Sequence, residues 1–93
     1  MKIVYHDIQI SYEKYGNSKE TIVILPGWGE TKNTFYEIIN YLQEYYTIYL
    51  IIYPGFSGCP FPPHDLSMFD YAEAVIHFLN TLKIKSPYVI AHS

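Results

Sequence analysis

Residues 21–29 read Thr-Ile-Val-Ile-Leu-Pro-Gly-Trp-Gly: five β-branched or aliphatic residues run straight into a turn built on Pro26, Gly27 and Gly29. A strand apolar on both faces sits inside a sheet that is covered on both sides. Beyond the turn, Thr31 is placed to cap a helix in which Phe35, Ile38, Ile39, Leu42 and Tyr46 recur at helical spacing. The same order then repeats. Residues 48–52 form a second buried strand, residues 53–66 a proline-rich loop, and Ser67 opens a second helix. Asp70, three residues after Ser67, completes a capping box, and Met68, Ala72, Val75, Leu79 and Leu82 form one apolar face. Residues 87–91 predict a third buried strand.

Upstream, residues 2–5 and 8–15 are rich in β-formers and are joined by the His6-Asp7 pair, which predicts an antiparallel hairpin ending at Gly16, Asn17 and Ser18. An antiparallel hairpin followed by strand, helix, strand, helix, strand predicts an α/β fold with a parallel β-α-β-α-β unit and right-handed crossovers. Ligands in such sheets bind beyond the carboxyl ends of the strands. Those ends are residues 25–29, 52–58 and 91–93.

Composition narrows the partners. The 93 residues are 49% hydrophobic and 18% aromatic, so they suit one small globular unit and not a disordered tail. Six lysines, none clustered, no arginine and nine acids give a net charge of −3, which argues against nucleic acid. No apolar stretch approaches the roughly 20 residues that cross a bilayer, and the apolar run after Lys2 is too short for a signal peptide. No membrane association and a cytoplasmic location are therefore expected. The single Cys59 cannot form an intramolecular disulfide, in keeping with a reducing compartment. His6, His64, His77 and His92 lack metal-ligand spacing, so no metal site is expected, and His77 falls off the apolar helix face toward solvent.

Gly27 and Gly29 could begin a dinucleotide fingerprint, but Lys32 occupies the third glycine position and residues 52–53 offer no acid for a ribose hydroxyl. A second reading accounts for all three loops. Leu25-Pro26-Gly27-Trp28-Gly29, Ile52-Tyr53-Pro54-Gly55-Phe56-Ser57-Gly58-Cys59 and Val89-Ile90-Ala91-His92-Ser93 together resemble the α/β-hydrolase superfamily. The first is similar to the oxyanion loop after the third strand, and the second to the Pro-Gly-Phe centre of the loop after the fourth. The third is similar to the opening half of the nucleophile elbow. Pro26 stands where the family commonly has His, Ile52 where it has Asp, and Ala91 where the elbow has its first Gly.

The resemblance implies that residues 1–93 form the N-terminal portion of a single α/β-hydrolase domain, with later strands, helices and any cap lying beyond. It implies a serine hydrolase acting on an ester, thioester or amide, with a small-molecule acyl substrate and no cofactor. Ser93 would be the nucleophile and the Trp28 backbone N–H an oxyanion donor. Gly27, Trp28, Phe56 and His92 would contact substrate, with Phe61 adding to an apolar wall. The orienting acid and the base histidine fall outside these residues, so the 93-residue chain alone is expected to be inactive. Successive side chains point to opposite faces, so His92 is not placed to take the Ser93 proton. A non-catalytic binding or regulatory protein of hydrolase ancestry, or a flavodoxin-like nucleotide binder, are the alternatives from other classes.

Overall fold

The computed structural model describes residues 1–27, 32–55, 59, 61 and 65–92. Five strands form one mixed sheet in the order β1-β2-β4-β3-β5: β1 Lys2–Tyr5, β2 Ile8–Tyr15, β3 Thr21–Leu25, β4 Thr47–Ile52 and β5 Tyr88–Ala91. The hairpin β1–β2 is antiparallel and pairs antiparallel with β4, whereas β3 lies parallel to both β4 and β5. The α/β class and the hairpin-plus-parallel order follow the sequence reading.

The hairpin turn has His6 at φ 45° and Asp7 at φ 66°. Positive φ at both central residues is the type I′ geometry, whose twist matches that of paired strands. In β2, Ile8, Ile10 and Tyr12 are buried on one face while the intervening residues are only partly covered. That alternation is what a strand with one packed face requires.

Two cores lie on opposite faces of the sheet. On one, helix α2, Met68–Thr81, places Ala74 and Phe78 over Ile8, Ile10, Tyr12, Val23 and Ile51. Phe78 is fully buried, with its ring edge-on to Tyr12 at 5.1 Å and Tyr49 at 5.8 Å. On the other face, Phe35 and Ile39 cover Ile22, Ile24, Ile48 and Leu50. The α2 start is the expected capping box: Asp70 N–H donates to Ser67 Oγ, and Ser67 N–H to Asp70 Oδ2. The helix ends in a Schellman motif, with Lys83 at φ 56°, its N–H on Asn80 O, and the Ile84 N–H on Leu79 O.

Three details differ from the sequence reading. A 3-10 turn, Lys32–Phe35, precedes helix α1, Tyr36–Leu42, whose N-cap is Phe35 with no side-chain cap; Thr31 lies outside the described residues. The stripe of α2 that meets the sheet is Ala74 and Phe78, whereas Met68 and Ala72 are exposed. His77 is half-buried and its ring stacks on Tyr5 at 4.9 Å.

The turn after β2 is locked onto the start of β4. Buried Thr47 accepts from the Ser18 N–H and donates to the Ser18 carbonyl, both at 2.7 Å. Gly16, at φ 77°, lies so close to the end of the α1 region that a Cβ there would stand 2.1 Å from Tyr46 O and 2.7 Å from Gln43 O. Backbone oxygens cannot swing aside as a side-chain tip can. Gly16→Ala is therefore expected to lower stability by about 2–4 kcal/mol, combining left-handed strain with overpacking, as measured by urea denaturation. A loss below about 0.5 kcal/mol, the scatter of ordinary surface changes, would contradict this account of the turn.

Candidate active site

Parallel pairing of β3 with its two neighbours makes three strand ends emerge on one side of the sheet. Leu25 registers with Ala91, and the His92 N–H donates to Leu25 O at 3.2 Å, carrying the ladder one residue past the end of β5. The main chain leaving β5 thus runs beside the main chain leaving β3. This is the arrangement that brings a residue after β5 close to the turn after β3.

An open apolar cavity of about 690 Å³ lies at these ends. Leu25, Pro26 and Gly27 line it from β3, Tyr53 from β4, and Ala91 and His92 from β5. Of the residues expected to bind substrate, Gly27 and His92 both reach this cavity. Ser93, Trp28 and Phe56 lie outside the described residues. Phe61 does not line the cavity; its ring is 83% exposed and lies over Gly55, where a Cβ would stand 2.9 Å from it.

The far wall comes from α2: Met68, Tyr71, Ala72, Val75 and Ile76. Sequence reasoning missed this wall by assigning Met68, Ala72 and Val75 to the core. The signal was there, because α2 carries apolar residues on more of its circumference than one buried stripe needs. Met68 is 80% exposed and Ile76 55% exposed, so the groove they border is open to solvent among the described residues.

Polar groups on the cavity are few. Tyr53 and Tyr71 meet edge-on with ring centroids 5.8 Å apart. Burial pushes the Tyr53 phenol above its usual range, and the neighbouring Tyr71 adds to this; burial also raises Tyr71. Both hydroxyls therefore remain neutral donors through the physiological range. Behind β4, the loop is held by the Gly55 N–H on Cys59 O at 3.1 Å, with buried Cys59 Sγ donating to Gln9 O at 3.3 Å. Among the described residues there is no group of three or more His, Cys, Asp or Glu that could hold a metal ion, and no helix long and apolar enough to cross a membrane.

A sequence model of the alpha/beta hydrolase fold matches residues 20–93. The chain belongs to the alpha/beta hydrolase family. Solved structures agree on the fold. An alpha/beta hydrolase fold protein from Burkholderia ambifaria superposes with a TM-score of 0.90 at 18% identity, over 100% of this chain and 34% of that one. AqdC, described in recognition and ring-cleavage of the Pseudomonas quinolone signal, gives 0.87 at 20% identity over 100% and 36%. An esterase from a marine microorganism gives 0.81 at 28% identity over 90% and 32%. The chain thus spans about a third of the length of these structures. No curated protein matches the sequence.

The raised tyrosines give a pH dependence with a definite sign. A phenol whose folded-state pKa lies above its unfolded value contributes stability that is intact below about pH 10 and is lost as pH climbs from there through the folded pKa. Unfolding free energy should therefore fall as pH rises above about 10, and more shallowly in Tyr53→Phe than in the parent chain. Equal slopes in denaturation series at these pH values would contradict the assignment to Tyr53.

Proposed function

We propose that these residues carry the nucleophile and one oxyanion donor of a serine hydrolase that acts on an ester, thioester or amide by acyl transfer. The observation that carries this reading is the register of β3 with β5. With Leu25 opposite Ala91 and the His92 N–H bound to Leu25 O, the main chain leaves β5 beside the end of β3, and Ser93 is the next residue in the sequence. A carboxylesterase-like activity suits the apolar walls of the cavity, since they would receive an uncharged acyl or alcohol group.

In the proposed reaction the Ser93 oxygen attacks the carbonyl carbon while its proton passes to a base histidine supplied from outside residues 1–93. The carbonyl oxygen becomes negative and is met by the Trp28 N–H. Collapse of this intermediate expels the alcohol, thiol or amine, which takes the proton from the histidine. Water then releases the acid by the same steps. Gly27 allows the backbone to turn toward the oxyanion, and Ala91 relieves crowding beside the nucleophile. An oxyanion donor of this kind is worth about 2.7–4 kcal/mol of barrier. Family membership supports hydrolysis in general; the serine at position 93 is what supports acyl transfer, because one fold hosts many reactions.

The 93-residue chain by itself should turn over p-nitrophenyl esters no faster than its Ser93→Ala variant, because neither the base nor the orienting acid is included. A chain that carries these residues together with the acid and histidine should label at Ser93 with a fluorophosphonate. Trp28→Pro, which removes the N–H, should lower its kcat by about 10²–10³-fold. Labelling elsewhere, or full activity in Ser93→Ala, would overturn the proposal.

A further inference from the structure

Helix α2 supplies one wall of the cavity, yet it rests on the other end of the sheet. Its buried residues Ala74 and Phe78 meet the cluster formed largely by β2 and β4. Three flanks of the helix thus have different neighbours. Ala74 and Phe78 face the sheet, and Ala72, Val75 and Ile76 border the cavity. Glu73, His77 and Thr81, spaced four residues apart, form a stripe on the flank away from the cavity.

Tyr5, the last residue of β1, grips that third flank. Its hydroxyl donates to Glu73 Oε2 at 3.1 Å, and its ring stacks on His77 at 4.9 Å. The ring is itself held from the turn by His6, edge-on at 4.4 Å, and His77 Nε2 is paired with Thr81 Oγ1 at 3.3 Å. These contacts tie α2 to the hairpin on the flank opposite the cavity. On the cavity side α2 meets the end of β4 through the edge-on Tyr71–Tyr53 pair at 5.8 Å, while Ile76 on that flank and Val89 on β5 are 55% and 56% exposed.

We infer that Tyr5 is a positioning residue which, through Glu73 and His77, fixes where α2 stands and so sets the width of the cavity between α2 and the ends of β3 and β5. The inference reads no activity and stands whether or not Ser93 is a nucleophile.

Spin labels at Ile76→Cys and Val89→Cys, in a Cys59→Ser background, report the width directly by electron–electron dipolar spectroscopy. A second pair at Val4→Cys and Val89→Cys spans the sheet without touching α2. In Tyr5→Ala the first pair should shift by about 1–2 Å, the scale of helix displacements at packed interfaces, or broaden, while the second stays put. Tyr5→Phe, which keeps the ring stack and loses the hydrogen bond, should fall between. An unchanged first pair in Tyr5→Ala would overturn the inference, as would equal broadening of both pairs, which marks general loosening. Should Tyr5→Ala not fold, Glu73→Ala removes the acceptor alone and is read by the same two criteria.

Discussion

Strand β3 is apolar on both faces, and this one constraint organises the rest. Val23 is buried among the residues under α2, while Ile22 and Ile24 are buried among those under α1. Each such side chain contributes about 1.5–3 kcal/mol when taken out of water, so neither face can be left wet. β3 must therefore be interior, with a strand on each side and a helix layer on each face. Parallel neighbours then follow from connectivity, because a chain that leaves β3 and returns beside it in the same direction must cross over through a helix. Helix α1 makes that crossing on one face and α2 on the other. The consequence for function is directional: three strands end on the same side, and their loops converge there.

The sheet is unevenly dressed. The hairpin side is packed tightly, with Phe78 wedged between Tyr12 and Tyr49 and the turn after β2 bolted to Thr47. At the other end, β5 pairs with β3 alone among the described strands, and Tyr88 and Val89 are each more than half exposed. The apolar cavity lies on this thinner side. Its walls are apolar for the same reason that β3 is: the residues flanking it belong to strands and a helix patterned for burial. A groove of this kind in an α/β sheet is where the physics of the fold and the chemistry of a site overlap.

Much of this was legible in the residues, and the parts that were not share a cause. Strand periodicity and the Ser67–Asp70 pair depend on residues near in sequence, so they can be read without knowing what packs on them. The rotation of α2 depends on its partners. Two neighbouring apolar stripes compete on that helix, and small Ala74 beside Phe78 wins because a ring fits between Tyr12 and Tyr49 where a Met68–Ala72 edge would not. The start of α1 was missed for a related reason: Phe35 is pulled into the core at 8% exposure, and burial of its ring, not a capping side chain, sets where the regular helix begins. His77 looked solvated because the tyrosine that covers it lies 72 positions upstream.

The departures from the family's common residues make sense in the same terms. Ile52 stands where an acid is usual, at the end of β4, opposite Ser11 and only 7% exposed. A carboxylate there would need charged or hydrogen-bonding partners to offset its desolvation; an isoleucine needs only the packing that is present. The loop that such an acid would tie down is tied instead by Cys59, whose carbonyl accepts from the Gly55 N–H and whose thiol reaches Gln9 on β2. Pro26 is likewise tolerable one residue past the end of β3, where β5 takes its bond from Leu25 O and no ladder bond is asked of residue 26. The described ends of these loops are held by burial and by hydrogen bonds to the main chain. The convergence of the strand ends, which depends only on β3 lying between β4 and β5, is left intact.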